Sequence, residues 1–161
     1  MRVFKAALIV LSDRAARGER ADGCIAVMRE RLGGAYEVVR EKILADDPAA
    51  LQAELIDLAD AAAADLILTS GGTGLSDRDR TPQATAAILD YQVPGIAEAI
   101  RAASIARVKT AMLSRALAGV RHRTLIINLP GSPKAVAESL DVVLSVLPHA
   151  LELLAGEVAD G

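Results

Sequence analysis

Residues 69–82 read "TSGGTGLSDRDRTP" and combine backbone freedom with charge. Gly71, Gly72, Thr73 and Gly74 follow the apolar run "DLIL". Adjacent glycines can turn consecutive backbone N–H groups toward an anion with no Cβ in the way. The spacing is not Gly-x-Gly-x-x-Gly, because Asp77 stands where the third glycine belongs, and it lacks the Gly-Lys-Ser/Thr end of a P-loop. A tight strand-to-helix turn is the plain alternative. Asp77, Arg78, Asp79 and Arg80 then alternate in sign ahead of Thr81 and Pro82, which read as an N-cap and a first helical residue. A carboxylate there either favours the helix dipole or joins a divalent cation, with arginine meeting phosphate oxygens. Charge alternation by itself describes a solvated face.

Three more stretches bear on the same chemistry. In "NLPGSPKAV", 128–136, Pro130 ends a strand, Gly131 permits a turn and Ser132 caps a helix whose first turn holds Lys134. The helix dipole disfavours a cation at that place, and a bound anion would remove the conflict; the alternative is a lysine held in water. In "LSDRAARGERADG", 11–23, Ser12, Asp13 and Arg14 offer a hydroxyl, a carboxylate and a guanidinium at a strand end. They suit a polar ligand, or equally an N-cap and a salt bridge. In "ADDP", 45–48, one of Asp46 and Asp47 caps the following helix, and an acid here together with Asp79 could hold a metal.

The elements that must position these residues follow from periodicity. "FKAALIVLS", "YEVVREKIL" and "DLILT" read as strands, and "CIAVMRERL" and "ADDPAALQAELIDLADAAAA" as helices. Beyond the glycine loop, "TPQATAAILDY" and "VPGIAEAIRAASIAR" read as helices, and "KTAMLSRALAGVRHRTLIINLPG" as a strand pair ending in "TLIIN". A last helix, from "SPKAVAE" to "LLAGE", is interrupted at Pro148. Alternating strands and helices indicate an α/β sheet covered on both faces.

Composition narrows the classes. A length of 161 residues suits one domain, 1–161, and 52% hydrophobic residues suffice for a core. The formal net charge is -3 with no basic run, which argues against nucleic acid. One cysteine, Cys24, excludes an internal disulfide framework, and two distant histidines make a Cys/His zinc site unexpected. Cys24 reads as packed rather than reactive, and His122, between arginines, as surface. No run approaches a membrane span, and the first apolar run is short for a signal peptide, so the expected setting is cytoplasmic. No Gly-x-Ser-x-Gly elbow is present.

Joined in this order, the motifs resemble one family, the molybdopterin adenylyltransferases of molybdenum cofactor biosynthesis, the MogA-like proteins, whose relatives include the G domain of gephyrin. The resemblance runs through "LIVLSDRAARG", "SGGTGLSDRDRTPQAT", "VPGIAEAIR", "AMLSRALAGVR", "LIINLPGSPKAV" and "LPHALELLAGE". It implies a single three-layer α/β/α domain with a mostly parallel sheet, and a homotrimer. It implies Mg²⁺-dependent transfer of AMP from ATP to the terminal phosphate of molybdopterin, with pyrophosphate leaving. The family's essential acids carry over to Asp46 and Asp79, as catalytic and metal-linked groups. Ser12, Asp13, Arg14, Gly71, Gly72, Thr73, Gly74, Arg78, Thr81, Ser114, Arg115, Pro130, Gly131, Ser132 and Lys134 carry over as substrate or nucleotide contacts. A molybdenum-inserting protein is an expected contact. Gln83 departs from the common "TPEA". A MoaB-like pterin-binding protein and a non-catalytic scaffold domain are the rival readings. A nicotinamide-dinucleotide enzyme is disfavoured by the missing third glycine.

Overall fold

Strand β1, Phe4–Leu11, is apolar everywhere but Lys5 because both of its faces are covered. In the computed structural model, which describes residues 2–158, it lies inside a six-stranded sheet. The other strands are β2, Tyr36–Leu44, β3, Leu66–Ser70, β4, Tyr91–Gln92, β5, Ala118–Arg121, and β6, Thr124–Leu129. Their order is β2-β1-β3-β6-β5-β4. The first four run parallel, and β5 pairs antiparallel with both β6 and β4. The expected strand pair is thus the β5–β6 hairpin.

Alternation along each strand sorts side chains between two cores. Phe4, Ala6, Leu8 and Val10 face helices α2, Cys24–Leu32, α5, Pro94–Arg107, α6, Pro133–Val143, and α7, Leu147–Ala155. Ala7, Ile9 and Leu11 face α3, Pro48–Asp60, and α4, Thr81–Ile88. In β6 the same rule sends Leu125, Ile127 and Leu129 one way and Ile126 the other. The result is the expected three-layer α/β/α arrangement.

Several boundaries differ from the sequence reading: α4 ends at Ile88 and Tyr91 belongs to β4, and the last helix breaks before Leu147, with Pro148 inside the first turn of α7. The loop after β1 contains a short helix, α1, Asp13–Ala16. Helix α3 stops at Asp60, although the alanine run to Ala64 would continue a helix on propensity alone. Ala62 is left-handed there, with φ 51°. The Ala63 N–H donates to Leu58 O and the Ala62 N–H to Ala59 O, closing a Schellman turn. The chain must reverse so that Asp65 can donate its N–H to Lys5 O and enter the sheet beside β1.

Candidate active site

From β1 the chain places β2 on one side and β3 on the other, so the loops after β1 and β3 open a crevice at the carboxyl ends of the strands. A cleft of about 210 Å³ lies there. Ser12, Asp46, Gly71, Gly72, Asp79 and Gly131 line it, brought from the ends of all four parallel strands.

Gly71 and Gly72 let the β3 loop reach the cleft. Gly71 has φ 102° and its N–H donates to Leu129 O at 3.1 Å, so this glycine ties the loop to β6. A Cβ there would overlap the Leu11 carbonyl oxygen. Gly72 has φ 69°, and a Cβ would overlap Thr81 Oγ1 and sit 3.3 Å from Asp46 Oδ1. Only glycine fits either position.

The two neighbouring acids after β2 divide the work. Asp47 is the N-cap of α3, its Oδ1 accepting the Ala49 N–H at 3.0 Å. Asp46 is therefore left to face the cleft. Its Oδ2 accepts the Asp13 N–H at 3.1 Å, while Asp13 Oδ1 accepts the Asp46 N–H at 2.9 Å. Arg78 donates through Nε and Nη2 to the two oxygens of Asp13, at 2.9 and 2.8 Å. The Arg78 hydrogen bonds hold the Asp13 carboxyl down at a pKa of about 2. Asp46 is pushed the other way, upward, first by burial and further by the charges of Asp13 and Asp79.

Asp79 reaches the cleft from the β3–α4 loop, with Oδ2 accepting the Ser76 N–H at 3.1 Å. Arg115 braces that loop from behind, donating Nε to Gly74 O at 2.9 Å and Nη2 to Asp79 O. Thr81 is the first helical residue, not the N-cap, which is Arg80. The Thr81 side chain is buried against Gly72, and its N–H donates to Gly72 O at 3.1 Å, so the hydroxyl is committed to loop packing rather than to capping.

A match to the probable molybdopterin binding domain spans residues 7–149. The chain belongs to this molybdopterin-binding family. It is 38% identical over 160 residues to a protein of Helicobacter pylori named molybdopterin adenylyltransferase, covering 97% of this chain and 90% of that one. The molybdopterin biosynthesis enzyme MoaB of Thermus thermophilus superposes with a TM-score of 0.91 at 49% identity, covering 96% of this chain and 98% of the other. The molybdopterin biosynthesis Mog protein of Mycobacterium ulcerans does so with a TM-score of 0.88 at 42% identity, covering 97% and 99%.

In this member of the molybdopterin-binding family a second cavity, of about 300 Å³, adjoins the first. Thr73, Pro130, Ser132 and Ser114 line it, so the loops after β3 and β6 each contribute to both cavities. Ser70 Oγ donates to Pro130 O at 2.7 Å and pins those loops together. Ser12 and Ser132 are N-caps of α1 and α6, accepting the Ala15 and Ala135 N–H groups. Arg14 is exposed and lines neither cavity. Lys134 also lines neither: its side chain is 89% exposed, with Nζ 4.0 Å from Glu138 Oε1. Its ammonium stands in solvent beside the Glu138 carboxylate.

Sequence reasoning reads Cys24 only as packed and does not single out Arg20 or Asn128. Arg20 and Cys24 line the first cleft. Cys24 opens α2 with its thiol 3.5 Å from Gly131 O, and burial raises its pKa. Asn128 is buried, donating Nδ2 to Thr69 Oγ1 and Thr85 Oγ1 and accepting the Leu117 N–H, and it lines the second cavity. Its signal is an amide inside the apolar run "LIINLP". Arg20 has none, being one charge in a charged loop.

Among the described residues no group of three or more His, Cys, Asp or Glu is arranged to hold a metal ion. The hard oxygen donors Asp46 and Asp79, meeting in one cleft, still fit Mg²⁺, which takes one or two carboxylates and completes its shell with water and phosphate oxygens. Among the described residues no helix is long and apolar enough to cross a membrane.

Proposed function

We propose that this protein is a molybdopterin adenylyltransferase, moving AMP from ATP to the terminal phosphate of molybdopterin in molybdenum cofactor biosynthesis. The observation that carries the reading is the meeting of Asp46 and Asp79 with the Gly71–Gly72 loop in one cleft, beside a second cavity built from the same loops. The names of the relatives point the same way. ATP places its phosphates in the first cleft, and the pterin occupies the adjoining cavity.

A phosphate oxygen of molybdopterin attacks the α-phosphorus of ATP. A P–O bond forms to that phosphorus, the bond to the bridging β-phosphate oxygen breaks, and pyrophosphate leaves with the electron pair. A phosphomonoester has its second pKa near 6. The nucleophile is already largely dianionic at neutral pH, so no side chain has to remove its proton. What the chain supplies is position and charge. Asp46 and Asp79 would hold Mg²⁺, which would offset repulsion between the two anionic substrates and the charge growing on pyrophosphate. Arg115 fixes the backbone of Asp79, and Thr81 and Gly72 hold the start of α4 against the loop.

Incubation of the purified protein with molybdopterin, ATP and Mg²⁺ tests the reading. Adenylyl-molybdopterin and pyrophosphate are expected only when all three are present; no product across metals and pH sinks it. A second reading, a MoaB-like protein that binds the pterin without dedicated turnover, draws on the 49% identity to the Thermus MoaB. Pterin binding without ATP-dependent pyrophosphate release would favour it. Cytoplasmic location, a homotrimer and contact with a molybdenum-inserting protein belong to the same proposal; sedimentation of the purified protein checks the trimer.

A further inference from the structure

Arg78 stands next to Asp79 in sequence and beside Asp46 in space, yet its guanidinium fork closes on Asp13. The partner acid lies on a third loop. Through its carboxylate Asp13 accepts Nε and Nη2 of Arg78 together with the Asp46 N–H, and through its own N–H it donates to Asp46 Oδ2. One residue thereby ties the loops after β1, β2 and β3.

We propose that Asp13 is a positioning residue, which holds Arg78 away from the cleft and sets Asp46 and Asp79 in fixed register. The inference rests on the reading of those two acids as the reactive pair. Two consequences follow from the geometry. Asp46 Oδ2 takes the Asp13 N–H, so the carboxylate cannot rotate freely and Oδ1 is aimed past Gly72. The charge of Arg78 is engaged by Asp13, so the negative charge of the acids stays available to a cation. Without Asp13, Arg78 would swing onto the nearest carboxylate, and an arginine fork on Asp46 or Asp79 competes directly with a metal ion. Asp13 need not touch substrate at all. Groups that orient carboxylates in this way change metal affinity or activity about 10–100-fold when removed.

The test compares Asp13→Asn, Arg78→Gln and the double variant, in adenylyl transfer and in binding of Mn²⁺ with α,β-methylene-ATP followed by electron paramagnetic resonance. Asp13→Asn keeps an oxygen for the Asp46 N–H, but loses the charge and sets an NH2 donor against Arg78 in place of one acceptor oxygen. Its kcat should fall roughly 10–100-fold with the KM for ATP little changed, and Mn²⁺ affinity should weaken about 10-fold. Because Arg78 is released in one variant and absent in the other, Arg78→Gln in the Asp13→Asn background should recover part of the Mn²⁺ affinity. Parent-like kcat and Mn²⁺ affinity in Asp13→Asn would overturn the proposal, as would a double variant whose losses simply multiply. Melting temperatures separate it from a merely structural role, since a loss that tracks the unfolded fraction would also overturn it. Where Asp13→Asn does not fold, Arg78→Lys breaks the fork with Asp13 intact, and unchanged Mn²⁺ affinity there counts against the proposal. If the parent protein makes no adenylyl-molybdopterin, that failure belongs to the proposed reaction, and the Mn²⁺ affinities alone judge Asp13.

Discussion

Asp13 and Asp46, on loops that follow different strands, hydrogen bond to each other reciprocally, each backbone N–H donating to the other's carboxylate at 3.1 and 2.9 Å. The exchange makes Asp46 a fixed acid rather than a loop residue. It also makes Asp46→Asn a clean probe, because the amide retains an oxygen for the Asp13 N–H. Folding should survive. The raised pKa of Asp46 means that its ionised form costs stability, and that cost is fully present once the pH has risen through the folded-state value. At neutral pH Asp46→Asn should therefore melt no lower than the parent. Turnover should fall at least about 100-fold, as for loss of an electrostatic stabiliser. Calorimetry and product assays together check the pair of outcomes.

Asp79→Asn should behave alike, because the amide oxygen can still accept the Ser76 N–H. Retained fold and nucleotide binding with turnover lost about 100-fold is expected. Full activity in that variant would remove Asp79 from the chemistry.

Gly71→Ala should be much less tolerated. The added methyl group meets the backbone carbonyl of Leu11, which cannot rotate away, and φ 102° is strained for alanine. A loss of about 2–3 kcal/mol in denaturant unfolding is expected. Activity should fall beyond what unfolding explains, since the loop carries both cavities.

Ala62→Gly should do the reverse. Ala62 occupies the left-handed position of the Schellman turn after α3, φ 51°, where glycine carries no steric penalty. A gain of roughly 0.5–1 kcal/mol, with unchanged turnover, is expected from urea titration.

Glu54 offers a pH-dependent test away from the cleft. Burial alone would raise its pKa, but hydrogen bonds from Arg40 at 2.7 Å and Lys42 at 3.0 Å prevail and hold it below its ordinary 4.5. A depressed folded-state pKa contributes stability above the unfolded value and loses it as the pH falls through the folded one. Glu54→Gln should cost about 1–2 kcal/mol at neutral pH. The difference from the parent should shrink progressively below pH 4.5. A difference that stays constant to low pH would show that the pair carries no net charge-linked stability.

Much of the architecture is legible in the chain because burial imposes a period. β1 can be read as a covered strand from "FKAALIVL", and its alternate residues do divide between the two cores. The glycine loop, the Pro-led helices and the β5–β6 pair are legible for similar local reasons. The end of α3 is not, since alanine favours helix and the turn at Ala62 is forced by entry into the sheet. Thr81 sits one residue from its expected place because its hydroxyl answers to Gly72, a tertiary neighbour, rather than to the helix start.

At the cleft, residue types alone could nominate Asp46, Asp47, Asp79, Asp13 and Arg78 but not sort them. Capping, a local interaction, assigns Asp47 to α3. Which carboxylate takes Arg78 depends on side chains 65 positions apart in the chain, meeting only when β1 and β3 lie side by side. The strand-and-helix alternation and the pool of candidate groups can be read from the amino acids in order, because those rest on local spacing and burial. That Asp13 ties Arg78 to Asp46 emerges only on folding, because it is set by which loops a shared sheet edge brings within hydrogen-bonding distance.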